Sequence, residues 1–282
     1  MLQNKLYEKI HGDLIQCNLC PHFCVLKKGQ YGKCSIRKSD GDKIYLDNYG
    51  YLTNIASEPI EKKPILHFMS GTKTLSISGH SCNLSCVWCE NFQISQKNRK
   101  KDSKYFELDS IIKMAKDEEC SSICMTYNEP TISYEYLIDL ANKCHKNNLK
   151  FIIKTNAYIN KEPWLEICKV VDAMNVDYKG TQIQYKEVMG VDGYVVKDRI
   201  KEAYDAGVHI EISIPVYSGF MEDVRAFWNV CSFLSNIDRK MPCHLLNIVE
   251  TSKYSQSDLN PKKEMAAARN ILTFYMDNVY KG

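Results

Sequence analysis

The sequence predicts an α/β fold: a partial (β/α)6 barrel over residues 73–282, preceded by a cysteine-rich metal-binding module over residues 1–72. Three observations predict it. From Thr72 onward, strand-like and helix-like stretches alternate, which implies a parallel sheet with right-handed crossovers. The first of these strands runs into a loop with three cysteines, Cys82-Asn83-Leu84-Ser85-Cys86-Val87-Trp88-Cys89. Four more cysteines, Cys17, Cys20, Cys24 and Cys34, crowd the first region.

The bulk properties set the class. A chain of 282 residues can bury one good core with a small appendage. Hydrophobic content of 44% and charged content of 25% are ordinary for a globular protein. A net charge of +3 is too small to argue for nucleic acid or an anionic membrane as partner. No apolar run approaches the roughly 18–20 residues that span a bilayer. The segment Met1-Leu2-Gln3-Asn4-Lys5-Leu6-Tyr7-Glu8 lacks the apolar core of a signal peptide, so a cytoplasmic location is expected. Thirteen cysteines, an odd number, fit a reducing compartment and metal ligation better than disulfides.

In chain order, a short amphipathic segment leads to Cys17-Asn18-Leu19-Cys20-Pro21-His22-Phe23-Cys24, then Gly29, Gly32 and Cys34, with Arg37 following. Four cysteines with two glycines among them read as a metal-stapled knuckle. Zinc and an auxiliary iron–sulfur cluster both fit, and His22 could replace one thiol. Asp40-Gly41 signals a hairpin turn, with Lys43-Ile44-Tyr45-Leu46 as the strand leaving it. Pro59 and Pro64 bracket an extended link, Ile60-Glu61-Lys62-Lys63, leading to His67-Phe68. Strands are expected at 73–78, 121–127, 150–155, 172–177, 208–214 and 244–249, and helices at 108–119, 131–147, 161–169, 195–206, 221–236 and 261–276. Tyr134, Leu137, Ile138 and Ala141 make a helical face, and Pro163 and Pro261 sit near helix starts, where proline is tolerated. The basic run Arg99-Lys100-Lys101 reads as a solvated loop. Cys120, Cys124, Cys144, Cys168, Cys231 and Cys243 lie in apolar segments and read as packing residues.

The cysteine loop carries the chemistry. Thiolates are the usual protein ligands of iron–sulfur clusters, and a fully protein-bound 4Fe–4S cluster takes four of them. Three thiolates leave one iron open, and an open position marks a catalytic metal rather than a structural one. Cysteines at this spacing could instead line one buried helix face. The flanks argue otherwise: Thr74-Leu75-Ser76-Ile77-Ser78 alternates like a strand and Gly79-His80-Ser81 breaks it. The loop therefore sits at a strand end, where catalytic groups collect. Neighbouring strand ends supply Tyr127-Asn128-Glu129-Pro130, Lys154-Thr155-Asn156 and Asn175-Val176-Asp177-Tyr178-Lys179. The fifth strand carries His209 and Glu211 and reaches Pro215 beyond. Any one of these alone reads as a surface group or cap; their value lies in falling together on one rim.

The C-x3-C-x2-C spacing with its aromatic resembles the signature of the radical S-adenosylmethionine (SAM) superfamily. The chain further resembles its pyruvate formate-lyase-activating-like branch, and within it the radical SAM component of the AmmeMemoRadiSam system. The matching stretches are Cys17–Cys34, Pro59 to Pro64, His67-Phe68, Gly71, Cys82–Cys89, Asn91, Ile94-Ser95-Gln96, Tyr127 to Thr131 and Asn175 to Lys179. The resemblance implies a TIM-like partial barrel of the radical SAM type. It implies a 4Fe–4S cluster on Cys82, Cys86 and Cys89, whose open iron chelates the amino and carboxylate groups of SAM. Trp88 would flank the adenine, Glu129 beside Asn128 would bind the SAM amino group, and Thr155 and Asn156 would lie near its carboxylate and ribose. Asp177 and Lys179 match an Asp-x-Lys pair.

Two departures matter. Activating enzymes of the glycyl-radical type often read Asp-Thr-Asn-Gly where this chain reads Lys154-Thr155-Asn156-Ala157. The Lys154 ammonium is expected to replace a cation there, pairing with Asp177 or with SAM. Relatives often continue past a Val-Tyr-x-Gly segment into another Cys-x-x-Cys piece. The sequence ends at Val279-Tyr280-Lys281-Gly282, so a third metal module is not expected. The resemblance implies reductive SAM cleavage to a 5′-deoxyadenosyl radical that takes hydrogen from a small-molecule or peptide substrate. A flavodoxin- or ferredoxin-like protein would donate the electron. A glycyl-radical protein substrate is the alternative; some eighty residues with a different knuckle before the triad argue against it. A non-catalytic metal-stapled scaffold or redox protein is the third reading.

Overall fold

A computed structural model describes residues 6–96, 102–217, 220–248 and 261–281. The Arg99–Lys101 run, residue 249 of the last expected strand and Gly282 lie outside the described residues. The first region is built of short strands: β1 (Tyr7–His11), β2 (Leu14–Cys17), β3 (Val25–Leu26), β4 (Arg37–Ser39), β5 (Ile44–Leu46) and β6 (Tyr51–Leu52). β1, β2 and β3 form one antiparallel sheet, and β4 pairs with β5 across the Asp40-Gly41 turn. β7 (Asn54–Pro59) then runs antiparallel to β8 (Lys73–Ser78), so the large sheet begins upstream of residue 73.

The rest alternates as the sequence implies. A short helix α1 (Phe92–Ser95) and β9 (Lys104–Tyr105), which pairs with β6, lead to α2 (Leu108–Asp117). Then follow β10 (Ser122–Met125), α3 (Tyr134–His145), β11 (Lys150–Thr155), α4 (Lys161–Cys168) and β12 (Ala173–Asp177). The series ends with α5 (Gln182–Met189), α6 (Tyr194–Asp205), β13 (His209–Val216), α7 (Val224–Ile237), β14 (Cys243–Asn247), α8 (Pro261–Tyr275) and β15 (Val279–Lys281). The eight strands lie in the order β15-β14-β13-β12-β11-β10-β8-β7, all parallel except β7, and the sheet is open between β7 and β15. β8, β10, β12 and β13 are almost wholly buried, as are Cys243 to Leu245 of β14, as expected of parallel strands covered on both faces. The six scattered cysteines are all buried.

Three differences have physical causes. The link from Ile60 is not extended: Ile60–Lys62 is one 3-10 turn, closed by Lys63 N–H to the Ile60 carbonyl at 2.9 Å. Burial of Ile60 draws the chain inward, so residues 60–71 form a strap against one face of the sheet. Ile60 and Ile65 pack there on Cys124, Ile152 and Ala173. Pro215 lies inside β13 rather than beyond it, because burial continues to Val216. α5, absent from the sequence expectations, has no strong apolar stripe but begins with a capping box, Thr181 with Gln184.

Candidate active site

The pleat sorts the strap-facing side of the sheet into two layers. Residues two apart share a face, so Ile152 and Ala173, under the strap, are followed toward the strand ends by Lys154, Asn175 and Asp177. Beyond them opens a cleft of about 290 Å³, lined by Cys82, Cys86, Trp88, Cys89, Asn128, Glu129, Lys154, Thr155, Asn156, Asp177 and Lys179. All eleven residues expected to bind cluster or SAM therefore meet in one cavity. Lys62, Lys63, Thr126, Tyr127 and Pro215 share its wall.

The cysteine loop is held from several sides. Asn128 donates through Nδ2 to the carbonyls of His80 and Ser81 at 3.3 and 3.2 Å. Gln96 Nε2 donates to the Leu84 carbonyl at 3.0 Å. The Cys82 sulfur accepts from Leu84 N–H at 3.3 Å and Asn156 Nδ2 at 3.5 Å. Cys89 lies 3.0 Å from Ser95 Oγ. Burial pushes the Cys82 thiol well up, and the Glu129 carboxylate adds to this. Burial raises Cys86 to about 11 against the opposing pull of Lys179. Such thiols give up their protons to a metal rather than to water.

Glu129 is a buried anion, 2% exposed. Its Oε1 accepts from Thr131 N–H (3.0 Å), Thr131 Oγ1 (2.8 Å) and Thr155 Oγ1 (2.7 Å), and its Oε2 from Asn156 N–H (2.7 Å). Among the described residues no ammonium or guanidinium pairs with it. Burial raises its pKa despite these four donors. A carboxylate offers about four lone-pair sites over two oxygens, so Oε2 still has room for a ligand cation.

Asp177 is the opposite case, with two ammoniums for one carboxylate. Lys154 Nζ lies 2.6 Å from Oδ1 and Lys179 Nζ 3.2 Å from Oδ2. Burial works to raise the Asp177 pKa, but the two lysines hold it at about 2. Lys154 also donates to Asn175 Oδ1 at 2.7 Å. This leaves one positive charge for a ligand carboxylate. Trp88 stacks on Tyr217, rings 4.4 Å apart and inclined 22°.

Some residues on the wall had no role in the sequence reading. Lys63, 3% exposed, bonds Glu58 and, at 3.0 Å, Tyr127 Oη. Burial works to raise the Glu58 pKa, but Lys63 and Tyr127 hold it at about 2. Tyr127 has a left-handed backbone (φ +68°), strain that collects at functional sites. In the sequence, Lys63 showed only as one of two adjacent lysines between prolines, and Tyr127 only as the first residue of a strand-end stretch. His209 and Glu211 are placed elsewhere: Glu211 accepts from Leu66 and His67 N–H and from both His209 and His244 Nε2, tying down the strap. Cys17, Cys20, Cys24 and Cys34 also lie off the cleft. Among the described residues no three His, Cys, Asp or Glu side chains are gathered as a metal ion requires.

The donor set fits the groups that the sequence resemblance implies: three thiols on one loop, a buried carboxylate with no cation paired to it among the described residues, and a surplus ammonium. Comparison with known proteins agrees. An uncharacterized protein of Methanocaldococcus jannaschii is 30% identical over 96% of this chain and 81% of its own. The 4-hydroxyphenylacetate decarboxylase activating enzyme of Clostridioides difficile strain CD196 is 24% identical over 53% of this chain, which spans about half that enzyme's length (51%). In fold, the chain is similar to Streptococcus suis SuiB bound to S-adenosylmethionine, with a TM-score of 0.55 and 18% identity over 72% of this chain and 48% of that one. The Radical SAM superfamily pattern matches residues 76–227, from within β8 into α7. That stretch is more than half of the sequence and carries the cysteine loop and the ends of β10 through β13, and the chain belongs to the radical SAM superfamily.

Proposed function

We propose that this is a cytoplasmic radical SAM enzyme whose site is the cleft at Cys82–Cys89, acting on a small-molecule or peptide substrate. The observation that carries the reading is the meeting of the three thiols with Glu129 and the Lys154–Asp177–Lys179 group in one cavity. Cys82, Cys86 and Cys89 would hold a 4Fe–4S cluster with one iron open to SAM. Such a cluster would supply the one electron needed to split SAM into methionine and a 5′-deoxyadenosyl radical, and that radical would take hydrogen from the substrate. The side chains do the rest. Glu129 accepts from the SAM ammonium, a charge-assisted bond in a site shielded from water. Lys154 neutralises Asp177 and leaves Lys179 to face the SAM carboxylate, the work of a cation in the activating enzymes. Trp88, backed by Tyr217, gives the adenine a flat apolar wall.

The matching stretches support the pyruvate formate-lyase-activating-like branch, nearest the AmmeMemoRadiSam radical SAM component. The decarboxylase-activating relatives favour a second reading, activation of a glycyl-radical enzyme, over the half of the chain they cover. We take residues 1–72 as a metal module on the barrel of residues 73–282, its four cysteines holding zinc or a second cluster, with β7 forming the sheet edge. A flavodoxin- or ferredoxin-like protein is the electron donor. The test is electron paramagnetic resonance of the anaerobically reconstituted, reduced protein. Adding SAM should change the spectrum, because only an open iron can bind it. An unchanged spectrum contradicts the reading and favours a closed, non-catalytic site.

A further inference from the structure

The cleft has a second charged wall, which the groups assigned to SAM do not use. Lys62 and Lys63 of the strap line it together with Tyr127. Both ammoniums share one carboxylate. Lys62 Nζ lies 3.3 Å from Glu58 Oε1, while Lys63 Nζ and the Tyr127 hydroxyl both donate to Oε2. Among the described residues no other carboxylate pairs with either lysine. One anion cannot neutralise two cations, so a positive charge is left over on this wall. An ammonium has three N–H donors. Lys63 spends two, on Glu58 and on Tyr127 Oη at 3.0 Å, and Lys62 spends one.

The strap turns these lysines, and not its acid, into the cleft. Ile60 is buried against the sheet. Glu61 is held away from the cleft, its Oε1 accepting from Gly71 N–H at 2.6 Å and Ser70 Oγ at 2.9 Å. Tyr127 takes a left-handed backbone, φ +68°, and its ring lies 4.4 Å from the Lys63 ammonium. A strained turn that fixes a lysine on a cavity wall is a feature of ligand sites.

Position separates this wall from the cysteine loop. Glu58 of β7 lies opposite Thr74 of β8, four residues before Ser78, the strand end that leads to the loop; at about 3.3 Å per residue that is about 13 Å along the strand. Glu90, a further acid lining the cleft, follows Cys89 on the loop itself. β7 is the edge of the open sheet, and the Lys62 side chain beside it is 62% exposed, so the surplus charge faces solvent where a second molecule can enter. We propose that Lys62 and Lys63 form the substrate subsite of the cleft and that the substrate brings it an anionic group, a carboxylate or a phosphoryl group. This inference rests on reading Glu129 and the Lys154–Asp177–Lys179 group as the SAM site. Each lysine gives the anion a charge-assisted hydrogen bond, and Glu58 with Tyr127 holds Lys63 in place to do so.

The test is equilibrium dialysis of the full chain, reconstituted anaerobically and saturated with SAM. Labelled inorganic phosphate is the probe in one arm and labelled acetate in the other. At least one should bind saturably and leave SAM in place, and the tighter of the two names the group. No saturable binding of either probe overturns the proposal. So does a probe that displaces SAM one for one, since it then occupies the place of the SAM carboxylate. Lys62→Glu, a change at an exposed side chain, should weaken the probe by about tenfold or more, and wild-type affinity in that variant overturns the subsite. Lys63→Met should weaken it by about as much; if it does not fold, judged by circular dichroism, Lys62→Glu decides. Lys116→Glu, on α2 and off the cleft, makes the same change in net charge. It should stay within about twofold of wild type, because salt screens distant charges, and an equal loss there overturns the subsite. Failure of the SAM reading is separately visible: a wild type that binds no SAM yet holds the probe in a Lys62-dependent way contradicts that reading and keeps the anion subsite.

Discussion

Glu129 sets the charge balance of the cleft. A carboxylate buried among four neutral donors, with no cation paired to it among the described residues, is costly until a positive group arrives. Glu129→Gln keeps the shape and removes the charge. SAM affinity should fall by about 10- to 100-fold, the worth of a hydrogen bond to a charged group. Isothermal titration of the anaerobic protein checks this, and an unchanged Kd contradicts the assignment. Lys154 poses a different question, since Asp177 keeps Lys179 when it is gone. In Lys154→Ala the remaining ammonium must serve both Asp177 and the ligand carboxylate. We expect SAM binding to weaken by about tenfold, measured the same way. No change would show that the lysine serves only the fold. From the sequence, the acid at a strand end and the Asp-x-Lys pair were legible because strand termini converge on one rim. The Trp88–Tyr217 stack and the Lys63–Tyr127 contact were not, because they join residues far apart in the chain through side-chain packing alone.

At the scale of elements, period and punctuation were readable, and tertiary holds were not. The six barrel strands and their helices carry their own periodicity, and their ends shift by only a few residues from the sequence expectation. α5 lacked that signal. Its residues are half polar with no strong apolar stripe, and its start is fixed by Thr181 accepting from Gln184 N–H at 3.3 Å, with Gly190 closing it in the left-handed conformation. Thr181→Ala should cost about 1 kcal/mol in urea unfolding, with SAM affinity unaltered; no loss of stability contradicts the capping account. The strap was invisible for another reason. Its hold is Glu211, 0% exposed, reaching Leu66 and His67 N–H from a strand over 140 residues away. Glu211→Gln offers one acceptor where two oxygens now take several donors. It should destabilise the protein by about 1–3 kcal/mol and speed hydrogen exchange at residues 66 and 67. Wild-type exchange there would contradict the role given to the strap.

For the whole molecule, acid is the informative variable. In Asp177, Glu58 and Glu211 burial works to raise the pKa, but ammonium, histidine, tyrosine and main-chain partners outweigh it and hold each at about 2. A carboxylate depressed on folding contributes stability above its unfolded value of about 4, and that contribution is lost as pH falls toward 2. Thermal midpoints should therefore drop steeply between about pH 4.5 and 2. Asp177→Asn should flatten part of that slope, and a wild-type slope in the variant contradicts the linkage. Glu211 sits on β13 under the strap, Asp177 on the cleft and Glu58 on the edge strand β7, so the acid limb reports on the same face of the sheet that holds the site. What that face is for rests on the chemistry of the three thiols. The most direct measurement is product analysis after anaerobic incubation of the reconstituted protein with SAM and dithionite. The account predicts 5′-deoxyadenosine and methionine from the wild type and neither from Cys82→Ala/Cys86→Ala/Cys89→Ala. No 5′-deoxyadenosine from a fully reconstituted wild type, or equal amounts from both proteins, would contradict it.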